Sequence, residues 1–179
     1  QLTKDRNPIL SKLETRAITD GLTKLYNLRH FYNQLEIEID RSNRYGHPLA
    51  LLLLDIDNFK TYNDTYGHLE GDKVLVKLGQ IITSCLRTMD CAYRHGGEEF
   101  TIIIPETTGE EAKNVAHRIK TTVEIENFVP ASGNIVKITV SIGVTEYFTK
   151  ETLATVIQSA DRALYKSKAK DRNTISFLL

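Results

Sequence analysis

Six consecutive apolar residues, Leu49-Ala50-Leu51-Leu52-Leu53-Leu54, run straight into Asp55-Ile56-Asp57. Taken through Ile56, the stretch has the length of a strand, and its unbroken hydrophobicity calls for a central strand buried on both faces. The chain around it must therefore supply a sheet and its cover. Upstream, a helix is expected over 28–45, with Phe31, Leu35, Ile37 and Ile39 as its apolar positions, stopped by Gly46-His47-Pro48. Downstream, a polar loop is expected over 58–67, then a helix to about Arg87 in which Val74, Leu75, Leu78, Ile81, Ile82, Cys85 and Leu86 recur at three and four residues.

A hairpin follows, Cys91 to Arg94 and Phe100 to Ile104, turning at Gly96-Gly97. A helix is expected over about 110–126, an alternating strand over 135–145, a helix over 151–170, and a last edge strand over 174–178. From Leu49 to Thr145 the order is β-α-β-β-α-β, the split, ferredoxin-like plan of the α+β class. In that plan the first and third strands are central, adjacent and antiparallel. Asp55, at the end of one, is then brought beside Glu98-Glu99, at the start of the other. Before this unit, Asn7-Pro8 reads as a helix start, with Ile9, Leu13 and Ala17 at helical spacing: a stalk over 1–19 ahead of a domain over 20–179.

Charge narrows the function. Lys plus Arg and Asp plus Glu both number 23, for a formal net charge of zero. The chain has no general attraction for nucleic acid or for an anionic membrane, so nucleic acid is not among the expected partners and phosphate binding must come from local clusters. Two cysteines, Cys85 and Cys91, have neither disulfide-framework nor zinc spacing, which fits a reducing cytoplasm. No apolar run is long enough to span a membrane, although a longer protein could still be tethered to one. Met89 is the only methionine, so the chain is expected to be part of something longer.

Asp55 and Asp57, two apart on a strand, are expected to share a face. Crowding Asp55 and Glu98 without a cation raises a pKa or costs stability. A hard divalent ion removes that cost, and Mg²⁺ accepts few protein carboxylates while keeping room for water and phosphates, the setting of two-metal phosphoryl transfer. Read singly, Glu98 and Glu99 are better explained as a solvated turn and Asp55 as a helix-capping aspartate; read jointly, with the fold juxtaposing them, the metal reading moves ahead.

Four motifs in order carry a resemblance. Gly96-Gly97-Glu98-Glu99-Phe100 resembles the signature of the GGDEF family of diguanylate cyclases, in its GGEEF form. Asp20-Gly21-Leu22-Thr23 through Phe31 is similar to the family's opening motif, Asp55 through Asp72 to its second, and Ala160-Asp161 through Asn173 to its close. Lys24 and Asp171 depart from it, standing where glycine is common. The resemblance implies a ferredoxin-like palm of the nucleotidyl cyclase and polymerase type, with added N-terminal helices and a C-terminal helix and strand. It implies condensation of two GTP into cyclic di-GMP with release of two pyrophosphates, by a homodimer in which each domain holds one GTP.

The same resemblance assigns roles. Asp55, Glu98 and the Ile56 carbonyl would hold Mg²⁺, two ions per site, with Mn²⁺ an acceptable substitute. Glu98 would also accept the proton, Glu99 would assist, and Lys60 would stabilise charge in the transition state. The amides of Asn58 and Phe59 would meet phosphate; Asn63 and Asp72 would read guanine, with His68 between them. Lys168 and Arg172, four apart at a helix end, would clamp the outer phosphates. Arg87 and Asp90 resemble the family's RxxD site, where product binds and restrains the enzyme. A sensor or receiver region is expected N-terminal to the stalk. Two other readings remain open: a catalytically silent module that binds cyclic di-GMP, and a palm-type nucleotidyl cyclase that uses another nucleotide.

Overall fold

The structure, a computed structural model, describes residues 8–178, with side chains from residue 12 onward; Asn7, the expected helix cap, lies outside the described residues. Helix α1 (Pro8–Ile18) leads to a two-residue strand β1 (Tyr26–Asn27) and helix α2 (Leu28–Tyr45). Then come β2 (Leu49–Ile56), α3 (Phe59–Tyr66), α4 (His68–Cys85), β3 (Cys91–Gly96), β4 (Glu99–Pro105), α5 (Gly109–Ile125), β5 (Val140–Glu146), α6 (Leu153–Ala169) and β6 (Ile175–Leu178). Among the described residues the strands form one sheet in the order β1-β3-β4-β2-β5-β6. Strand β2 pairs antiparallel with both β4 and β5, and β3 pairs antiparallel with β4. The inner four strands therefore have the ferredoxin-like order, β1 and β6 being added in parallel at the edges. No helix among the described residues is long and apolar enough to cross a membrane.

Every residue of β2 is buried, and alternation divides them between two cores. Leu49, Leu51 and Leu53 meet Phe31 and Leu35 of α2 and Val156, Ala160 and Leu164 of α6. Ala50, Leu52, Leu54 and Ile56 meet α4 and α5 through Leu78, Ile82, Val115 and Ile119. At about 2 kcal/mol for each fully buried leucine, this strand is the strongest organiser of the sheet. Helix α2 opens at Asn27, whose side chain accepts from the His30 amide, and closes at Gly46 with φ 70°.

Helix α6 lies directly on β5. A Cβ at Gly143 would stand 2.3 Å from the Leu164 nitrogen and 2.5 Å from the Ala160 carbonyl, so only glycine permits this approach. Ser167 Oγ donates to the Ile142 carbonyl at 2.8 Å and ties down the helix's last turn. That docking aims Lys168, the next residue, at the end of β2.

Three elements differ from the sequence expectation. Residues 59–66 are helix rather than loop: Phe59, Tyr62 and Tyr66 recur at three and four residues, and Phe59 and Tyr62 are buried. Strand β5 starts at Val140, because Val136 pairs back with Phe128 and not with the sheet (N···O 2.7 and 3.2 Å). Ile37 is exposed on α2.

Candidate active site

The site forms where β2 ends and β4 begins. Asp55 is the register partner of Glu99, and opposed residues on antiparallel strands share a face. One step further, the Ile56 amide donates to the Glu98 carbonyl (3.4 Å). Gly96 (φ 143°) and Gly97 (φ 52°) lie in backbone regions that side chains resist, which accounts for the paired glycines in this turn. The turn is anchored by Arg94, whose guanidinium donates to the Gly97 carbonyl (3.1 and 2.9 Å) and to both carboxylate oxygens of Asp20 (3.3 Å each). Burial alone would push Asp20 up; hydrogen bonds from the Thr23 amide and hydroxyl, with the Arg94 charge, hold it below the usual carboxylate range.

Asp55 is 6% exposed. Burial pushes its pKa up, repulsion from Glu98 and then Glu99 adds to the rise, and the Lys168 ammonium at 2.8 Å offsets only part of it. Asp57 has a different role. It accepts from Ser141 Oγ (2.7 Å), Thr139 Oγ1 (2.7 Å) and the Asn173 amide (2.9 Å), tying β2, β5 and the segment after α6 together. Its acceptors are committed to the fold.

Among the described residues no three His, Cys, Asp or Glu side chains gather into a ready metal cluster. The donor set nevertheless suits a hard divalent ion. Among the described residues, Asp55 is a buried carboxylate under repulsion from two glutamates, with a half-exposed lysine as its counter-charge. This makes a prediction. In metal-free protein the folded state binds the Asp55 proton more tightly than the unfolded chain does. Stability should therefore decline as pH rises from the ordinary aspartate value through the raised one. Asp55→Asn should raise the neutral-pH melting temperature by about 2–4 °C and flatten that decline; a melting-temperature series against pH in chelator checks both.

The segment from α3 to α4 carries the next group of candidate residues. Asn58, the N-cap of α3, has φ 55° and makes no side-chain cap, so the amides of Asn58, Phe59 and Lys60 open the helix without an acceptor among the described residues. The lysine thus sits in a helix's first turn rather than on a loop. Asn63, one turn later, has Oδ1 buried without a partner among the described residues. His68 and Asp72 are exposed on the opening of α4.

Lys168 and Arg172 are not a helical pair. Helix α6 ends at Ala169, and Asp171, Arg172 and Asn173 all have positive φ (68°, 60° and 46°). Lys168 faces Asp55 while Arg172 stands exposed beyond the helix. Asp90 is buried; its Oδ2 accepts from the Arg87 amide (2.8 Å), while Oδ1 has no partner among the described residues. Arg87 is exposed beside it.

A model of the diguanylate cyclase GGDEF domain matches residues 17–174. The chain belongs to the GGDEF family. Diguanylate cyclase A of Treponema denticola is 40% identical over 171 residues, 93% of this chain and 46% of the relative. The response regulator PleD of Caulobacter vibrioides is 38% identical over 172 residues, 95% of this chain and 38% of the relative. The chain spans less than half the length of these relatives. Among solved structures, the coiled coil and GGDEF domain of DgcB from Caulobacter crescentus, in complex with c-di-GMP, matches with TM-score 0.91 and 32% identity, covering 95% of this chain and 90% of that one. The active GGEEF domain of a diguanylate cyclase from Vibrio cholerae matches with TM-score 0.79 and 31% identity, covering 84% and 96%.

The two departures from the GGDEF pattern now have a physical meaning. Lys24 (φ 64°) and Asp171 (φ 68°) both occupy left-handed backbone, where glycine is unstrained. Lys24→Gly should stabilise the domain by about 0.5–1 kcal/mol, a small upward shift on thermal melting with activity unchanged. Sequence reasoning also left Arg94, Asp20 and Asp57 without roles. Asp20 opens the first motif and Arg94 ends the first hairpin strand, but their pairing joins residues 74 apart and only the fold reveals it.

Proposed function

We propose that the domain condenses two GTP molecules into cyclic di-GMP, releasing two pyrophosphates, with each domain of a homodimer presenting one GTP. The observation that carries this reading is the pairing of β2 with β4, which holds the buried Asp55 against the Glu98-Glu99 turn. Asp55, Glu98 and the Ile56 carbonyl would hold Mg²⁺, which when bound supplies charge neutralisation on the phosphates and acidifies the attacking 3′-hydroxyl. Glu98 accepts that hydroxyl's proton, and Glu99 supports the carboxylate set. Lys60, with the amides of Asn58 and Phe59, receives phosphate oxygens at the start of α3. Lys168, already at the site, and Arg172, free of the helix, supply further positive charge to the outer phosphates.

Base recognition falls to Asn63 and Asp72, with His68 beside them. Guanine offers O6 as an acceptor and N1–H and the 2-amino group as donors, a pattern that an amide and a carboxylate complete. Adenine leaves the carboxylate unpaired, which is the stronger form of rejection. Arg87 and the unpartnered oxygen of Asp90 form the product site that restrains the enzyme. The longer relatives support an N-terminal regulatory region, coupled through α1, in the full-length protein, and the domain's place is the cytoplasm.

The test is incubation with GTP and Mg²⁺ over a series of protein concentrations, with chromatography of products and a sizing measurement in parallel. Cyclic dinucleotide formation that rises with dimer is expected. No dinucleotide at any concentration would end the enzyme reading and leave the silent binding module in its place.

A further inference from the structure

Asn63 does not stand alone at the base-reading position. Its backbone carbonyl accepts from the Gly67 amide (2.8 Å), closing α3, and its side chain leans on the next helix at Gly71. A Cβ built on Gly71 would lie 1.8 Å from Asn63 Oδ1, 2.8 Å from its Cγ and 3.2 Å from Phe59 Cζ. No side chain fits there while Asn63 keeps its place. Oδ1 is sealed from solvent without a partner, whereas Nδ2 is not sealed and Asn63 as a whole is half-buried. In this arrangement the amide's acceptor faces α4 and its donor faces outward.

We infer that Gly71 is a specificity-determining residue that acts through Asn63, leaving the space in which that amide stands with its donor toward the nucleotide base. This rests on the GTP reading above and adds to the Asp72 carboxylate a second reason one base is chosen. An outward Nδ2 donates to a 6-oxo group and opposes a 6-amino group, so the orientation itself separates guanine from adenine. A freely turning amide would satisfy either base. The colliding atoms at Gly71 are mainly the far end of one side chain, so alanine there is absorbed by displacing Asn63 rather than by moving helices. Alanine is also the better helix former.

Gly71→Ala is the variant to make, with Gly79→Ala as its companion. Gly79 lies in the same helix, is equally buried, and a Cβ there would stand 3.4 Å from its nearest neighbour, an ordinary contact. Nucleotide affinity is read by competition of unlabelled GTP and ATP against a fluorescent guanine nucleotide, turnover by dinucleotide formation, and folding by thermal melting. Gly71→Ala should keep or raise the melting temperature, weaken GTP on the order of tenfold, and narrow the GTP-to-ATP ratio by a similar factor, while Gly79→Ala changes neither. In an Asn63→Ala background, adding Gly71→Ala should cost nothing more, because the displaced amide is already gone.

A folded Gly71→Ala protein with unchanged GTP preference would overturn the inference. So would an equal additional loss in the Asn63→Ala background, or a Gly71→Ala chain that fails to fold while Gly79→Ala folds, since Asn63 would then not be what yields. Wild-type protein that neither binds GTP nor makes dinucleotide would remove the enzyme reading itself, a result distinguishable from all of these.

Discussion

Glu98→Gln should lower dinucleotide formation from GTP by at least about a thousandfold without lowering the melting temperature. The substitution keeps the shape of the side chain and removes its charge. In the proposed reaction that charge serves twice, as a ligand to a divalent ion and as acceptor of the 3′-hydroxyl proton. General-base catalysis alone is worth about a hundred- to ten-thousandfold. The fold should not notice. Glu98 sits in a turn whose geometry comes from Gly96, Gly97 and the Arg94 clasp on the Gly97 carbonyl. The Glu98 group that holds β2 is its backbone carbonyl, which accepts from the Ile56 amide and is untouched by the change. Turnover within tenfold of wild type would remove Glu98 from the reaction.

Asp57→Ala should do the reverse of a catalytic lesion, melting the domain at a temperature lower by about 10 °C, from a loss of about 3–5 kcal/mol. The carboxylate takes three hydrogen bonds, from Ser141, Thr139 and the Asn173 amide, and Ser141 is fully buried. Alanine would strand those donors away from water, which costs more than the loss of favourable contacts alone. Asp57→Asn should be milder, at about 1–2 kcal/mol, because the Ser141 hydroxyl can rotate to accept from the new amide. Equal melting temperatures for wild type and Asp57→Ala would refute this role. With Asp55→Asn, which is expected to stabilise, the pair makes a sharp contrast: two aspartates separated by one residue, one strained and one satisfied. The difference is in their partners. Among the described residues, Asp55 meets two glutamates and a single lysine, whereas Asp57 accepts from three donors.

Much of this was legible in the letters. The short apolar run ending at Asp55 reads as a central strand, and β2 is buried along its whole length. The β-α-β-β-α-β order then implied that Asp55 would lie beside Glu98-Glu99, and the observed pairing with Glu99 agrees. Where pattern misled, a local signal was outweighed. Tyr62 and Tyr66 concealed a helix among polar neighbours, and the alternating segment before Val140 pairs with its own loop at Phe128. The i, i+4 spacing of Lys168 and Arg172 implied one face of one helix, but the backbone turns left-handed at Asp171 and separates them.

The sequence by itself determined the strand order, the two-sided core around β2 and the meeting of Asp55 with the Glu98-Glu99 turn, since these depend on hydrophobic period, chain order and residue type. Only the tertiary structure decided which aspartate is strained, that Lys168 is its counter-charge, that Arg94 locks the glycine turn to Asp20, and that Gly71 leaves room for Asn63. Each of those is a distance between side chains remote in sequence or on separate helices. No period or spacing encodes such a distance; it exists only once the sheet and the helices have packed.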